Sequence, residues 1–317
     1  MRHHSNIGLG PGREFDLVRT MLTRWGTSAS GIGDDAAIVD IPAGEQLVVS
    51  TDASIENVHF RREWLSPEEI AYRATMAALS DVAAMAAAPR GLLVALTIPE
   101  RWVADLEALA DGIGAAARAA DCPILGGDIT RGTALGITIT VLGSAVVPAR
   151  RDAAQPGDRI YVTGVLGGPA TALRAFELGE QPHPQHLERF ARPRARLREG
   201  LWLAQHGARA LIDISDGLVS ELRHLAVASG IEVRIDAGRI PVMRGCSLED
   251  AASGGEEYEL VVAVPHQLDV NAFARAFATP LSEIGEARAA AVPAVLAYRG
   301  ANDERVDLGV GHDHFRT

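Results

Sequence analysis

Four times along the chain, an acidic residue follows a glycine turn or an apolar run. Asp34-Asp35 follow Gly31-Ile32-Gly33, Asp52 follows the run from Leu47 to Thr51, Asp128 follows Gly126-Gly127, and Asp213 and Asp216 bracket Ile214-Ser215. Glycine lets the backbone turn tightly, and apolar alternation reads as a strand, so these carboxylates fall on loops and strand ends. With the hydroxyls of Ser50, Thr51 and Ser215 they form a set of hard oxygen donors, which suits Mg²⁺ and, through it, a polyphosphate. Each turn alone reads equally as a surface turn with solvated acids, and Asp216 as a helix N-cap. Asp81 adds a fifth position: Ile70, Ala74, Ala77 and Asp81 share one helical face. A carboxylate on that stripe must pair with an arginine, sit near a frayed end or meet a metal, because a buried unpaired charge is costly. If all these acids converge, they cannot all stay ionised without cations. Several Mg²⁺ ions bridging the phosphates of ATP would resolve this.

At 317 residues the chain has the length of two domains, and a hydrophobic content of 47% is ample for their cores. The net charge of −11 argues against nucleic acid or an anionic membrane as partner, though not against a phosphorylated substrate carrying its own cations. All 30 basic residues are arginine. Without lysine, a P-loop lysine, a Schiff base and a kinase-type strand lysine are excluded. Cys122 and Cys246 form no CxxC pattern, no run approaches a membrane span, and MRHHSNIGLG has no apolar stretch like a signal peptide. A soluble cytoplasmic protein is expected. The His3-His4 pair is too short to read as a metal tract.

Residues 13–25 carry helical apolar spacing and are expected to form an amphipathic helix. Ser66-Pro67-Glu68-Glu69 begins another, with Ser66 as N-cap and Glu69 completing a capping box; it runs to about Ala88, where Pro89 ends it. Strands are expected at 92–98, 136–146, 159–164, 231–236 and 259–264, and helices at 101–120, 185–207 (arginines outward) and from Asp216 to near Gly230. The charged segment from Pro148 to Asp158 marks the domain boundary, giving domains 1–150 and 151–317. Gly164 to Pro169 lacks the GK[ST] ending and reads as a strand-to-helix turn rather than a phosphate cradle. His59, flanked by Val58 and Phe60, reads either as a packing group or as a ligand.

The motifs GIGDDAA, STDASIENVHF, ALSDVAAMAA, GGDITRG, QPGDRIYVTG, DISDGL and SGGEEYEL occur in this order. Together they resemble the thiamine-monophosphate kinases, of the superfamily typified by aminoimidazole ribonucleotide synthetase, over nearly the whole chain from Glu14 to Phe315. The resemblance implies a two-domain α/β fold, with an N-terminal sheet packed on that of a dimer mate and a C-terminal α/β domain covering the cleft. It implies direct in-line transfer of the ATP γ-phosphoryl group to thiamine monophosphate, assisted by several Mg²⁺ ions, with no covalent or general-base residue. Asp35, Ser50, Thr51, Asp52, Asp81, Asp128, Asp213 and Asp216 match the family's Mg²⁺ ligands. Gly127, Asp128, Arg151 and Ser215 match positions that hold ATP, and His59, Glu256 and His312 match positions that contact thiamine monophosphate. Two positions depart from the pattern: His312 replaces an aromatic such as tyrosine, and Glu257 replaces an aspartate.

Two alternatives stand beside this reading. One is another superfamily member resembling the hydrogenase-maturation dehydratase, which ends in a reactive cysteine where this chain has none after Cys246. The other is a non-catalytic protein that binds Mg-nucleotide or thiamine phosphate, against which the intact acid set argues.

Overall fold

Arg13–Trp25 forms helix α1, with Met21 and Trp25 on its buried stripe. The computed structural model describes residues 6, 8–299, 304–309 and 311–312; His3, His4 and the tail from Asp313 to Phe315 lie outside the described residues. The chain divides into two compact units, one of residues 1–82 and 88–148, the other of residues 83–87 and 149–317.

In the first unit, β1 (Gln46–Ile55), β2 (Ala88–Ile98), β3 (Ile124–Arg131) and β4 (Gly136–Ala145) form a sheet in the order β1-β4-β2-β3, antiparallel except for the β2–β3 pair. The register sets Val48, Ser50 and Asp52 opposite Gly143, Val141 and Ile139. That face is covered: Val94, Leu96, Ile137, Ile139 and Val141 are buried, as are Ile70, Ala74 and Leu79 of α2 (Pro67–Ala84) and Leu109 and Ile113 of α3 (Leu106–Ala119). On the other face Leu47 and Val49 stay about half exposed. The capping box at Ser66 and Glu69 forms as expected, each backbone N–H donating to the other's side chain. Pro89, however, does not end α2. The helix stops at Ala84, Ala86 takes a left-handed turn, and Pro89 lies inside β2 next to a register shift, where a missing N–H is tolerated. The helix expected over 101–120 opens with a 3₁₀ segment, Glu100–Asp105.

The second unit holds a sheet in the order β11-β10-β7-β9-β5-β8-β6. Its strands are β5 (Arg159–Thr163), β6 (Ala210–Asp213), β7 (Ile231–Asp236), β8 (Leu260–Val264), β9 (Leu281–Ala289), β10 (Ala294–Arg299) and β11 (Glu304–Val306). β6 and β8 are buried along their whole length, which is why they read as continuous apolar runs. The helices are α4 (Gly168–Glu177), α5 (Pro184–Ala191), α6 (Leu197–Gln205), α7 (Leu218–Ser229), α8 (Leu248–Ser253) and α9 (Val270–Phe277). The single helix expected over 185–207 is two, because Pro193 falls between α5 and α6. Nor do its arginines all face outward: Arg189 and Arg196 turn inward to bond Glu257 and Glu259. Among the described residues no helix is long and apolar enough to cross a membrane.

Helix packing in the first unit depends on Gly112 of α3. A Cβ there would lie 2.1 Å from the Glu68 carbonyl oxygen of α2, and both atoms belong to helix backbones that cannot step aside alone. Gly179, with φ +73, has nothing within 4 Å of its missing Cβ. Gly112→Ala is therefore expected to destabilise by about 3 kcal/mol through overpacking, and Gly179→Ala by only about 1 kcal/mol, the cost of a left-handed alanine. Urea unfolding of the two variants checks that order; equal midpoints would refute it.

Candidate active site

In the first unit, Ser50 and Asp52 stand two residues apart on β1, on the covered face of the sheet. The Ser50 hydroxyl donates to Asp81 Oδ2 of α2, joining two of the expected metal ligands. That bond is what the carboxylate on the apolar stripe of α2 meets. Thr51 points to the opposite face, where its hydroxyl shares a 3.0 Å hydrogen bond with Thr140. Asp35 lies exposed on its glycine loop, its N–H bonded to Asp34 Oδ1 at 2.9 Å. Asp128 is exposed on β3, in register with Ala95. Gly127 pairs with Val94 so closely that a Cβ would sit 1.8 Å from the Val94 carbonyl oxygen, so only glycine keeps β3 in place here. His59 accepts the Ile55 N–H on Nδ1 at 3.1 Å, which leaves Nε2 as the protonated ring nitrogen.

In the second unit, three segments far apart in sequence meet. Tyr258 N–H donates to Ile214 O (2.8 Å), Glu256 N–H to Ser215 O (2.7 Å) and His312 N–H to Asp216 O (2.8 Å). Glycines allow the approach: a Cβ on Gly255 would lie 2.5 Å from Ser215 O, and one on Gly311 2.2 Å from Asp216 O. Asp213, Ser215, Asp216, Glu256 and His312 are thus brought together. Arg151 is exposed on the turn before β5, its carbonyl accepting the Ser229 hydroxyl. Asp216 does not cap α7 with its side chain; Gly217 occupies that position.

Sequence reasoning missed Glu221, on the first turn of α7. It is 4% exposed, and its Oε1 accepts the Ser215 hydroxyl and the Asp216 N–H, each at 3.3 Å. Burial, reinforced by the charge of Asp213, pushes its carboxyl up to about 7. The available signal was its spacing, five residues after Asp216, which faces it back toward the loop. The turn from Gly164 to Pro169 is no phosphate cradle, because the Gly167 N–H at the start of α4 is taken by the Glu257 carboxylate.

The carboxylates and hydroxyls of these two groups are hard oxygen donors, as Mg²⁺ prefers. Among the described residues no three His, Cys, Asp or Glu side chains are grouped to hold an ion by themselves.

The AIR synthase related protein N-terminal domain matches residues 33–147, and the corresponding C-terminal domain matches residues 155–296. The thiamine-monophosphate kinase of Salmonella typhimurium is 37% identical, over 96% of this chain and 98% of its own. The structure of AaThiL complexed with AMPPCP and TMP superposes with a TM-score of 0.75 at 28% identity, covering 95% of this chain and 97% of that one. The hydrogenase maturation protein HypE in complex with ATP has a TM-score of 0.78 at 21% identity, covering 97% of each chain, a likeness of fold alone.

The raised Glu221 carboxyl sets a pH dependence. A carboxyl at about 7 in the fold and near 4.5 unfolded contributes stability that is fully present below 4.5 and lost as pH rises through 7. Glu221→Gln keeps the acceptor and removes the charge. In EDTA the variant is expected to exceed the parent by about 2 kcal/mol at pH 8 and to match it near pH 4.5. A pH-independent difference in urea midpoint would contradict this.

Proposed function

The chain belongs to the AIR synthase related family and, within it, to the thiamine-monophosphate kinases, and we propose that it phosphorylates thiamine monophosphate to thiamine diphosphate with ATP as donor. The observation that carries this reading is the junction in the second unit, where backbone hydrogen bonds tie the Asp213–Asp216 loop to Glu256 and His312. The relative complexed with AMPPCP and TMP supports both substrates. The hydrogenase-maturation alternative is not favoured, since HypE shares the fold at only 21% identity.

Transfer from one phosphate to another needs positioning and charge neutralisation rather than a covalent group. In this reading Asp35, Ser50, Thr51, Asp52, Asp81 and Asp128 of the first unit, and Asp213 and Asp216 of the second, hold Mg²⁺. Bound Mg²⁺ would supply neutralisation of the phosphate oxygens. Thr51 would contribute through its backbone, since its hydroxyl bonds Thr140 on the other face of the sheet. Gly127 and Asp128 of the first unit, and Arg151 and Ser215 of the second, hold ATP, the guanidinium of Arg151 forking onto phosphate oxygens. His59, Glu256 and His312 contact the substrate, the Glu256 carboxylate accepting from its aminopyrimidine. The protein acts where ATP is made and used, in the cytoplasm.

We further read the half-exposed face bearing Leu47 and Val49 as the surface of a homodimer, since apolar strand faces of this kind mark association sites. Val49→Arg is expected to shift the protein to monomer in sedimentation velocity. A dimer unchanged by that substitution would place the interface elsewhere.

The direct test incubates purified protein with Mg-ATP and thiamine monophosphate and follows thiamine diphosphate by chromatography. Metal-dependent product from the monophosphate, and little from thiamine, is expected. Asp52→Asn should lower turnover by about a thousandfold or more with the thermal midpoint retained; a fully active variant would remove Asp52 from the site.

A further inference from the structure

The backbone around Glu256 is held in a form that neither glutamate nor tyrosine favours. Glu256 has φ 67 and Tyr258 φ 52, both in the left-handed region where a Cβ is crowded by the backbone. Glycine at either position would relieve this, but would delete a carboxylate or a phenol. Strain kept at a candidate site points to side chains needed there.

The two side chains meet: the Tyr258 hydroxyl donates to Glu256 Oε2 at 2.7 Å. Tyr258 is only 9% exposed, so its ring is a rigid support. The triplet is pinned from behind as well. Glu257, between them, is fully buried and accepts from Gly167 N–H and from Arg189, while Glu256 and Tyr258 donate their N–H groups to Ser215 and Ile214. A glutamate side chain has three rotatable bonds, and ordering it on ligand binding costs affinity. A short bond from a fixed phenol meets that cost in advance.

We propose that Tyr258 is a positioning residue for substrate recognition, its hydroxyl presenting the Glu256 carboxylate to the aminopyrimidine of thiamine monophosphate. This rests on the reading above that Glu256 contacts that substrate. Tyr258 itself acts through Glu256 and needs no contact with the reacting phosphates.

The test is a double-mutant cycle read in steady-state kinetics, with wild type, Tyr258→Phe, Glu256→Ala and the double variant, each with its thermal midpoint. Tyr258→Phe is expected to raise KM for thiamine monophosphate about tenfold, while KM for ATP and kcat stay within about twofold of wild type. In the Glu256→Ala background the same substitution should add nothing further. A hydroxyl that serves only the fold would lower the thermal midpoint and leave KM unchanged, and that result overturns the proposal. So does a rise of the same size for both substrates, or an effect undiminished without Glu256. The wild-type arm separates the two levels: absence of thiamine diphosphate there refutes the functional reading and this inference together, whereas active wild type with an indifferent Tyr258→Phe refutes only the inference.

Discussion

The second unit is built on one buried charge. Glu259 is fully buried, and burial alone would raise its carboxyl; Arg196, and then Arg189, outweigh that and hold it below its ordinary value. Arg196 bonds both carboxylate oxygens, and Thr163 of β5 donates to Oε2 at 2.6 Å while its own oxygen accepts the Leu260 N–H. The Glu259 carbonyl accepts from Ile214 at the head of the acidic loop. One residue, through its side chain and its carbonyl, thus ties β5, β8, the α5–α6 corner and the 213–217 loop together. Removing either partner of such a pair strands the other in a low dielectric, typically at about 3–5 kcal/mol. Even Gly164 answers to it, because a Cβ there would lie 2.2 Å from a Glu259 carboxylate oxygen.

This arrangement gives the arginine-only composition a structural use. Arg189 and Arg196 reach inward, and the planar fork of Arg196 meets both oxygens of one carboxylate side by side, a geometry that the compact ammonium of lysine does not fix. The broken helix at Pro193 serves the same end, placing one arginine on each side of the corner. An amphipathic reading of 185–207 treats arginine as a surface residue and cannot see a partner some 60 residues away in sequence. Local periodicity was sufficient where burial follows it, as in α1, α7, β4 and the capped start of α2. It failed where a long-range pairing overrides it: Pro89 sits in β2 because β4 and β3 recruit that segment into the sheet. The strands after Pro280 went unread because β9 alternates irregularly and β10 is only half buried.

The site was legible to the extent that its acids sit on glycine turns, since those turns are local. The Ser50–Asp81 bond and the 214–258 backbone pairing are not local, and only the fold reveals them. Glu221 and Tyr258 escaped for the same reason: each acts on a motif residue through space, while in sequence it looks like ordinary helix or core.

The fold also sorts the acids, which the sequence presents alike. Glu56, Glu257 and Glu259 are buried and each is met by a backbone or hydroxyl donor and an arginine: Leu135 N–H, Trp102 and Arg101 for Glu56, Gly167 N–H and Arg189 for Glu257, Thr163 and Arg196 for Glu259. Their lone pairs are spent inside the protein, so they can hold a loop but not a ligand. Asp35 and Asp128 are exposed, and Asp52, Asp81, Asp216 and Glu256 half-buried, Ser50 donating to Asp81 and Tyr258 to Glu256; Asp213, at the end of β6, is the buried exception among the site acids. Carboxylates of that second kind reach the surface, where a cation or a substrate can meet them. The two kinds alternate within single motifs, Asp52 with Glu56 and Glu256 with Glu257, so each strand end carries both its anchor and its working group. At Glu256–Glu257 a one-residue slip would exchange the two, burying the acid meant for solvent and exposing the one that holds the loop.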